Sequence, residues 1–291
     1  MMMDSRNERN FHKVLVLTIV LFWSLCLTSC SSLSLSYRYA DWLLYWKIDG
    51  YIDLTSDQQP FLQEQLATLQ QWHRDEELPR YILFLDDVKR TWQDGLTQAE
   101  LEILFQQFTS LWKSLGQRFA AEGTPLLTKM TPAQIQNLKQ TMREENQTIL
   151  KKIGATFRER MEKRLETVFE ELEDWLGPLT SDQKLHIARL IRKFPDTTHE
   201  WILNRQRRQA NFLALLQSKI APSKFEQQIF HLLVSPEKGA SQAYLTAAQQ
   251  RISALFSTIL EVDHMITPQQ REHASHRFEA IIQELQNISR N

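Results

Sequence analysis

The chain has 291 residues, with 34 Lys and Arg against 35 Asp and Glu, a formal net charge of −1 and 42% hydrophobic residues. This length suffices for one large domain or two small ones with a substantial apolar core, and the ordinary composition excludes a disordered or collagen-like chain. The near-neutral charge disfavours nucleic acid as a partner.

The first element is a short apolar segment that is typical of a signal peptide. Basic residues precede an apolar run at residues 14–27, which is too short for a transmembrane helix because a bilayer needs about 20 apolar residues. The run ends in Leu27-Thr28-Ser29-Cys30, which resembles a bacterial lipobox. We therefore predict a signal peptide at residues 1–29 and a covalent lipid on Cys30. An uncleaved anchor or a soluble secreted protein is the alternative.

A second cysteine, Cys26, lies within the segment predicted to be removed, so the mature chain would keep Cys30 alone. No thiol then remains for a disulfide, a nucleophile or a metal site, and the lipid is the only attached group that we expect. Residues 30–36 would form a lipidated tether of at most about 20 Å. Resemblance to Gram-negative lipoproteins implies the periplasmic face of the outer membrane, because Ser31 stands where an aspartate would signal inner-membrane retention.

An aromatic-rich segment follows the tether, at residues 37–51. Its side chains either lie at the lipid headgroups, where Trp and Tyr are favoured, or cover the base of a helical body. Leu43, Leu44 and Ile48 beside them favour the second alternative. The aromatic residues are Tyr37, Tyr39, Trp42, Tyr45, Trp46 and Tyr51.

The same region carries the polar residues that are the best candidates for a site. An Asp-His-Arg group beside Trp72 has the residue types for acid–base chemistry, or for binding a small ligand. No nucleophile elbow, phosphate loop or zinc-protease motif accompanies it, so a buried ion-pair network is the simpler interpretation. The candidates are Asp41, Asp49, Asp53, His73 and Arg80.

Helix starts recur along the chain with one pattern: an apolar residue, Thr, two variable residues and Gln or Glu. In this capping box the Thr hydroxyl accepts from an amide three residues on, and the Gln or Glu reaches back to the Thr amide. The starts have irregular spacing and predict helical hairpins of unequal length. They are at residues 54–58, 96–100, 130–134, 179–183 and 266–270.

The longest apolar stripe at helical spacing runs over residues 131–176 and ends at Gly177-Pro178. As one helix it would be about 70 Å long. It would either project as an arm or be broken and packed back on the body. We predict an all-α, elongated periplasmic domain over residues 37–291, built from helical hairpins, with one long helix around residues 131–176 and a subdivision near residues 177–178.

The charge is locally uneven between residues 184 and 224, a stretch that contains nine Lys or Arg and only two acidic residues. This stretch either binds an anionic polymer, lipid or protein, or is a solvated helix face. Its central residues are Arg189, Arg192, Lys193, Arg205, Arg207 and Arg208.

His273 and His276 lie three residues apart with His264 nearby, but two imidazoles without a fixed third ligand predict no metal site.

Residues 27–81 resemble a family of proteobacterial lipoproteins of unknown function. The resemblance rests on the lipobox, on Tyr-Arg, Asp-Trp-Leu, Trp and Asp-x-Tyr-x-Asp-Leu in order over residues 37–54, and on Trp72-His73 and Leu78-Pro79-Arg80-Tyr81. The resemblance implies a location in the cell envelope, and it implies no catalytic activity. The Leu-Thr-x-x-Gln starts are also similar to those of Spy-type periplasmic chaperones, although this chain is about twice as long and nearly neutral.

Abundant helical surface without catalytic motifs favours a non-enzymatic lipoprotein. We expect it to bind an envelope protein or an anionic polymer, as a chaperone or assembly factor. The alternative is an enzyme or small-ligand binder that uses the neighbourhood of His73 and Arg80. An open pocket that gathers these residues with an aspartate would favour the enzyme, and a closed ion-pair network would favour the binding protein.

Overall fold

A computed structural model describes residues 31–153 and 156–290, so the predicted signal peptide and Cys30 lie outside the described residues. Within the described residues every regular element is a helix, which confirms the prediction of an elongated all-α fold. None of these helices is both long and apolar enough to cross a membrane.

The helices follow one another with short connections. In chain order they are α1 (Ser31–Arg38), α2 (Ala40–Ile52), α3 (Gln58–Trp72), a π-helical turn (His73–Glu77), α4 (Leu78–Gln93), α5 (Gln98–Leu127), α6 (Pro132–Ile153), α7 (Phe157–Leu176), α8 (Ser181–Arg192), α9 (Thr198–Leu216), α10 (Pro222–Val234), α11 (Gln242–Met265) and α12 (Pro268–Arg290).

The predicted capping boxes form at four of the five sites. Before α5, α6, α8 and α12, the Thr hydroxyl accepts from the backbone amide three residues on, and the Gln or Glu side chain accepts from the Thr amide. At the fifth site only half of the box is present: Thr55 N–H donates to Gln58 Oε1, and α3 begins three residues after Thr55.

The glutamines of these boxes also join helix starts in pairs. Gln134 Nε2 donates to Gln58 Oε1 at 2.6 Å, and Gln183 Nε2 donates to Gln270 Oε1 at 2.7 Å. In the second pair, Gln183 Nε2 also donates to the Met265 carbonyl just before α12. Gln270 Nε2 likewise donates to the Pro178 carbonyl just before α8. The start of α6 is thereby fixed to that of α3, and the start of α12 to that of α8.

The long helical stretch predicted at residues 131–176 is divided between α6 and α7. Thr156 has an extended ψ of 155° and forms a capping box with Glu159, so a new helix begins at Phe157. The two parts pack on different neighbours: α6 contacts α2 and α9, and α7 contacts α8 and α12. Of the two predicted alternatives, the broken helix that packs back on the body is therefore the one observed.

The last helix packs against helices from the first third of the chain. α12 packs along α4 and also contacts α1, where Leu285 and Ile288 share a core with Leu33 and Leu78. Gly177, at a φ of 77°, ends α7 near the predicted subdivision. Because α12 contacts helices on both sides of residues 177–178, packing crosses this point; the subdivision stays a prediction.

A buried aspartate ties the α11–α12 hairpin to the loop before α5. Asp263 is 2% exposed; its Oδ2 accepts from Leu96 N–H at 2.8 Å and its Oδ1 from Arg271 Nη1 at 2.9 Å. Arg271 also donates to the Trp92 carbonyl, and its guanidinium lies over the Trp92 ring. One carboxylate therefore holds together segments that are 167 residues apart.

Candidate functional site

The π-helical turn interrupts an otherwise continuous helix from α3 to α4, and proline chemistry explains why it forms. Pro79 has no N–H to donate to the carbonyl four residues earlier, and its ring would clash with that carbonyl. The chain widens instead, and Leu78 N–H donates to the His73 carbonyl five residues back. π-Bulges of this kind are frequent at functional sites, so the side chains around this turn form the leading polar candidate.

His73 is packed among aromatic side chains at the start of the turn. Its Nδ1 lies 3.1 Å from the Tyr37 hydroxyl, which is also 3.2 Å from the Gln70 carbonyl oxygen, and its ring lies edge-on to Tyr81. Burial lowers the pKa of His73 from 6.5 to about 4, because removal from water disfavours the imidazolium. The ring is therefore neutral at physiological pH.

Burial raises the pKa of both tyrosines beside this ring. For Tyr37 the positive charge of Arg74 partly opposes the rise, whereas for Tyr81 the Glu77 carboxylate adds to it. Both phenols therefore keep their protons at neutral pH. Together with neutral His73 they form an uncharged aromatic group, in which the lowered pKa makes the imidazole a weak base.

Glu77 is the buried charge of the turn, with only 1% of its surface exposed. Its Oε1 accepts from Arg80 Nη1 at 2.6 Å and from the Ser114 hydroxyl of α5, and Arg80 Nη1 lies 2.6 Å from that hydroxyl as well. Its Oε2 has no hydrogen-bond partner. The contact links α4 to α5 through an ion pair whose arginine is half-exposed.

The predicted aspartates do not join His73 and Arg80. Asp49 Oδ1 accepts from Leu54 N–H, and the Asp53 carbonyl accepts from Gln134 Nε2 beside the start of α3. His73 follows the other end of α3, about 22 Å away for 15 residues at 1.5 Å each. The Asp41 carboxylate, on α2, accepts from the neighbouring amide of Trp42. Asp49 and Asp53 therefore lie near one end of α3, and His73 lies at the other.

Sequence reasoning missed Glu77 and Ser114. Glu77 ends an acidic run, Asp75-Glu76-Glu77, which on a regular helix is typical of a solvated face. The available signal was Arg80 three residues on, at ion-pair spacing, with Pro79 between them as a cause of irregular backbone. Nothing local marks Ser114, because only the packing of α5 on α4 brings its hydroxyl to the carboxylate.

An open cavity of about 500 Å³ lies beside the turn, but neither His73 nor Arg80 lines it. It is bounded by α3, the turn and Arg118 of α5, whose guanidinium lies 5.4 Å from the centre of the Trp72 ring. His73 thus lies among aromatic rings and half-exposed Arg80 in its ion pair with Glu77, both outside the lining of this cavity.

The predicted basic patch is divided by the fold. On α9, Arg205 pairs with buried Glu145, Arg207 donates to the Pro236 and Lys238 carbonyls, and Arg208 donates to the Leu232 carbonyl. These three guanidinium groups fix neighbouring segments, and burial lowers the pKa of Arg208. The other three residues are exposed at the end of α8, and they are Arg189, Arg192 and Lys193.

The two histidines near the C-terminus contact different residues. The Nδ1 of His273 is 3.0 Å from the Trp175 carbonyl oxygen, whereas His276 is exposed and lies 3.8 Å from Glu272. Over residues 31–153 and 156–290 there is no group of three or more His, Cys, Asp or Glu side chains that could hold a metal ion.

An apolar surface lies where α11 crosses α5. The rings of Phe105 and Phe256 meet edge-on at 5.5 Å. Helical spacing puts Trp112 on the face of α5 that carries Phe105, and Ile252 and Leu255 beside Phe256 on α11, and these three are 48%, 41% and 44% exposed. The two helices run antiparallel, because Leu96 lies at Asp263 and Phe105 at Phe256. We call these five residues the α5–α11 surface. It presents large side chains to solvent, which monomeric proteins seldom do without a partner.

Comparison with known proteins gives one match. A model described as "Family of unknown function (DUF6279)" matches residues 50–245, which include the Trp72-His73 and Leu78-Pro79-Arg80-Tyr81 segments. No curated protein and no solved structure gives a significant match. The sequence-based expectation of an uncharacterised family is therefore supported, while the lipobox lies before the matched range.

Proposed function

The chain belongs to the DUF6279 family of unknown function, and we propose that it is a lipid-anchored envelope protein that binds a protein partner and catalyses no reaction. The α5–α11 surface is the observation that carries the binding role. Its aromatic and aliphatic side chains suit an apolar segment of an incompletely folded or unassembled protein. Lipidation at Cys30 would place the protein on the periplasmic face of the outer membrane.

The polar network around the π-helical turn supports binding over catalysis. Glu77 Oε1, Arg80 and Ser114 bond with one another between the turn, α4 and α5, and His73 is neutral among aromatic rings. A general base must reach the proton that it abstracts, and the neighbouring cavity has neither His73 nor Arg80 in its wall. We therefore assign this network a structural role and place the enzyme alternative second.

The binding role is tested by the aggregation of a model client, reduced α-lactalbumin, measured by light scattering with the mature protein. We expect the wild type to suppress aggregation and the Trp112→Gln/Leu255→Gln variant to be about tenfold weaker, because a loss of 1.4 kcal/mol in binding is tenfold. The matched control is Leu83→Gln/Leu185→Gln, which changes two separate leucines with 67% and 63% exposure. Equal suppression by the two double variants would contradict the assignment.

The anchor is tested separately by metabolic labelling with radioactive palmitate. We expect label on the wild type and none on Cys30→Ser, together with a larger precursor for the variant because the signal peptide stays attached. Fractionation of the two membranes would then report the location. An unlabelled wild-type chain would disprove lipidation without affecting the α5–α11 surface.

A further inference from the structure

A stripe of exposed apolar side chains runs along α1 and α2. Leu35, Tyr39, Trp42, Leu43 and Trp46 follow one another at spacings of four, three, one and three residues, which puts them on one face of a helix. All five are between 45% and 59% exposed. We call them the aromatic stripe.

The two helices act as one support for this stripe. Tyr39 N–H donates to the Leu35 carbonyl and Leu43 N–H to the Tyr39 carbonyl, so helical hydrogen bonding continues across the junction. The Trp42 and Trp46 rings meet edge-on at 5.8 Å. The stripe is therefore an ordered surface in which neighbouring rings are already packed.

The opposite face of α1 and α2 packs against the other helices of the domain. Tyr45, Ile48 and Ile52 pack with Leu62 and Leu66 of α3. Tyr37 is also fixed there, since Gln70 Nε2 donates to its carbonyl at 2.7 Å. Rotation of the helices to bury the stripe would break this packing, so the stripe faces outward in the folded protein.

We propose that the aromatic stripe lies in the headgroup layer of the membrane to which Cys30 is anchored. Leu35 comes five residues after Cys30, which is about 8 Å along a helix. The proposed lipid on Cys30 would directly precede α1, which begins at Ser31, so the stripe begins where the mature chain would meet the bilayer. This inference rests on the proposed anchor.

The chemistry of the stripe suits a lipid surface. Trp and Tyr combine an apolar ring with a polar N–H or O–H and are enriched at bilayer interfaces. Arg38 is exposed next to Tyr39 of the stripe, and basic residues next to an interfacial helix attract anionic lipids. The contact would turn α1 and α2 toward the bilayer and leave the helices behind them in the periplasm.

The test uses the mature lipidated protein in vesicles of phosphatidylethanolamine and phosphatidylglycerol with and without brominated acyl chains, which quench nearby tryptophans. We expect quenching in the wild type and loss of more than half of the quenched signal in Trp42→Phe/Trp46→Phe. Trp112→Phe is the matched control, because Trp112 is 48% exposed against 55% and 59% for the two stripe tryptophans. Its removal should leave the quenched signal unchanged.

The outcomes separate the stripe from the anchor. Protein that is labelled by palmitate and floats with vesicles, but shows no quenching, overturns the stripe and keeps the anchor. An unlabelled chain that still floats and loses its quenching in Trp42→Phe/Trp46→Phe supports the stripe and refutes lipidation. Absence of flotation and of quenching refutes both.

Discussion

At the scale of single residues, His73 gives the molecule a specific pH dependence. Its pKa is about 4 in the folded protein against 6.5 for the free side chain. Between these values the unfolded chain binds the proton more readily, so this term stabilises the fold fully above pH 6.5 and is lost as the pH falls toward 4. Each tenfold change in proton affinity is worth about 1.4 kcal/mol, and the whole effect is therefore roughly 3 kcal/mol.

We predict that His73→Gln removes this part of the acid sensitivity. Urea unfolding at pH 7 and pH 4.5 should show a smaller loss of unfolding free energy for the variant than for the wild type. His276→Gln is the control, since His276 is exposed. If His73→Gln and His276→Gln lose the same free energy as the wild type, the imidazole of His73 is not held neutral.

Residue-scale contacts also mark the limit of sequence reasoning about the candidate site. His73 and Arg80 were singled out from the sequence and do lie near one turn, yet their partners are Tyr37, Glu77 and Ser114. The carboxylates of Asp41 and Asp49 accept from backbone amides close to them in the sequence. A π-bulge shifts the helix faces on either side of it, and the regular periodicity used for prediction contains no such shift.

At the scale of helices, two glycines of α5 make a matched pair. A Cβ on Gly116 would lie 2.3 Å from Val234 Cγ1, because α10 crosses α5 there, whereas a Cβ on Gly123 meets only Leu127 at 3.8 Å. Alanine is favoured over glycine within a helix by about 1 kcal/mol. At Gly116 this gain is opposed by overpacking, which typically costs about 1–3 kcal/mol.

We predict that Gly123→Ala raises the midpoint of thermal unfolding and Gly116→Ala lowers it. Circular dichroism at 222 nm during heating measures both, and helical content at low temperature should be equal in the two variants. Stabilisation by both substitutions would mean that α10 does not approach α5 as closely as described.

Helix boundaries were more predictable than helix contacts. Boxes such as Thr180–Gln183 and Thr267–Gln270 are local, so their sequence pattern sufficed to place helix starts. The start at Thr156 was missed because an unbroken apolar stripe over residues 131–176 obscured it. That Gln183 would bond with Gln270 was beyond prediction, since the pairing depends on two helices meeting 87 residues apart.

At the scale of the whole molecule, loss of the Asp263 carboxylate should weaken the contact between the α11–α12 hairpin and the loop before α5. Asp263→Ala would leave Leu96 N–H without its buried acceptor and the Arg271 guanidinium without its counter-ion. Breaking a buried ion pair from one side costs about 3–5 kcal/mol. Urea denaturation should show this loss, against a change within about 0.5 kcal/mol for Glu162→Ala, whose pair with Arg158 is exposed. Equal stability of the two variants would contradict the role of Asp263.

The all-α architecture followed from periodicity and capping alone, whereas the way in which the helices close on one another did not. Contacts between α12 and α4 join the last residues to the first third of the chain, and no local pattern specifies them. The same limit applies to the α5–α11 surface, whose two halves lie more than 130 residues apart in sequence.

The packing of α12 on α1 and α4 also bears on how the chain would fold under the proposed export. Leu33 and Leu78 share their core with Leu285 and Ile288, and Glu284 accepts from the Ser34 amide. In a chain that crosses a membrane from its N-terminus, α1 and α4 would emerge before α12 could cover their apolar side chains. Until α12 followed, this exposed surface would make the partly folded chain prone to aggregation.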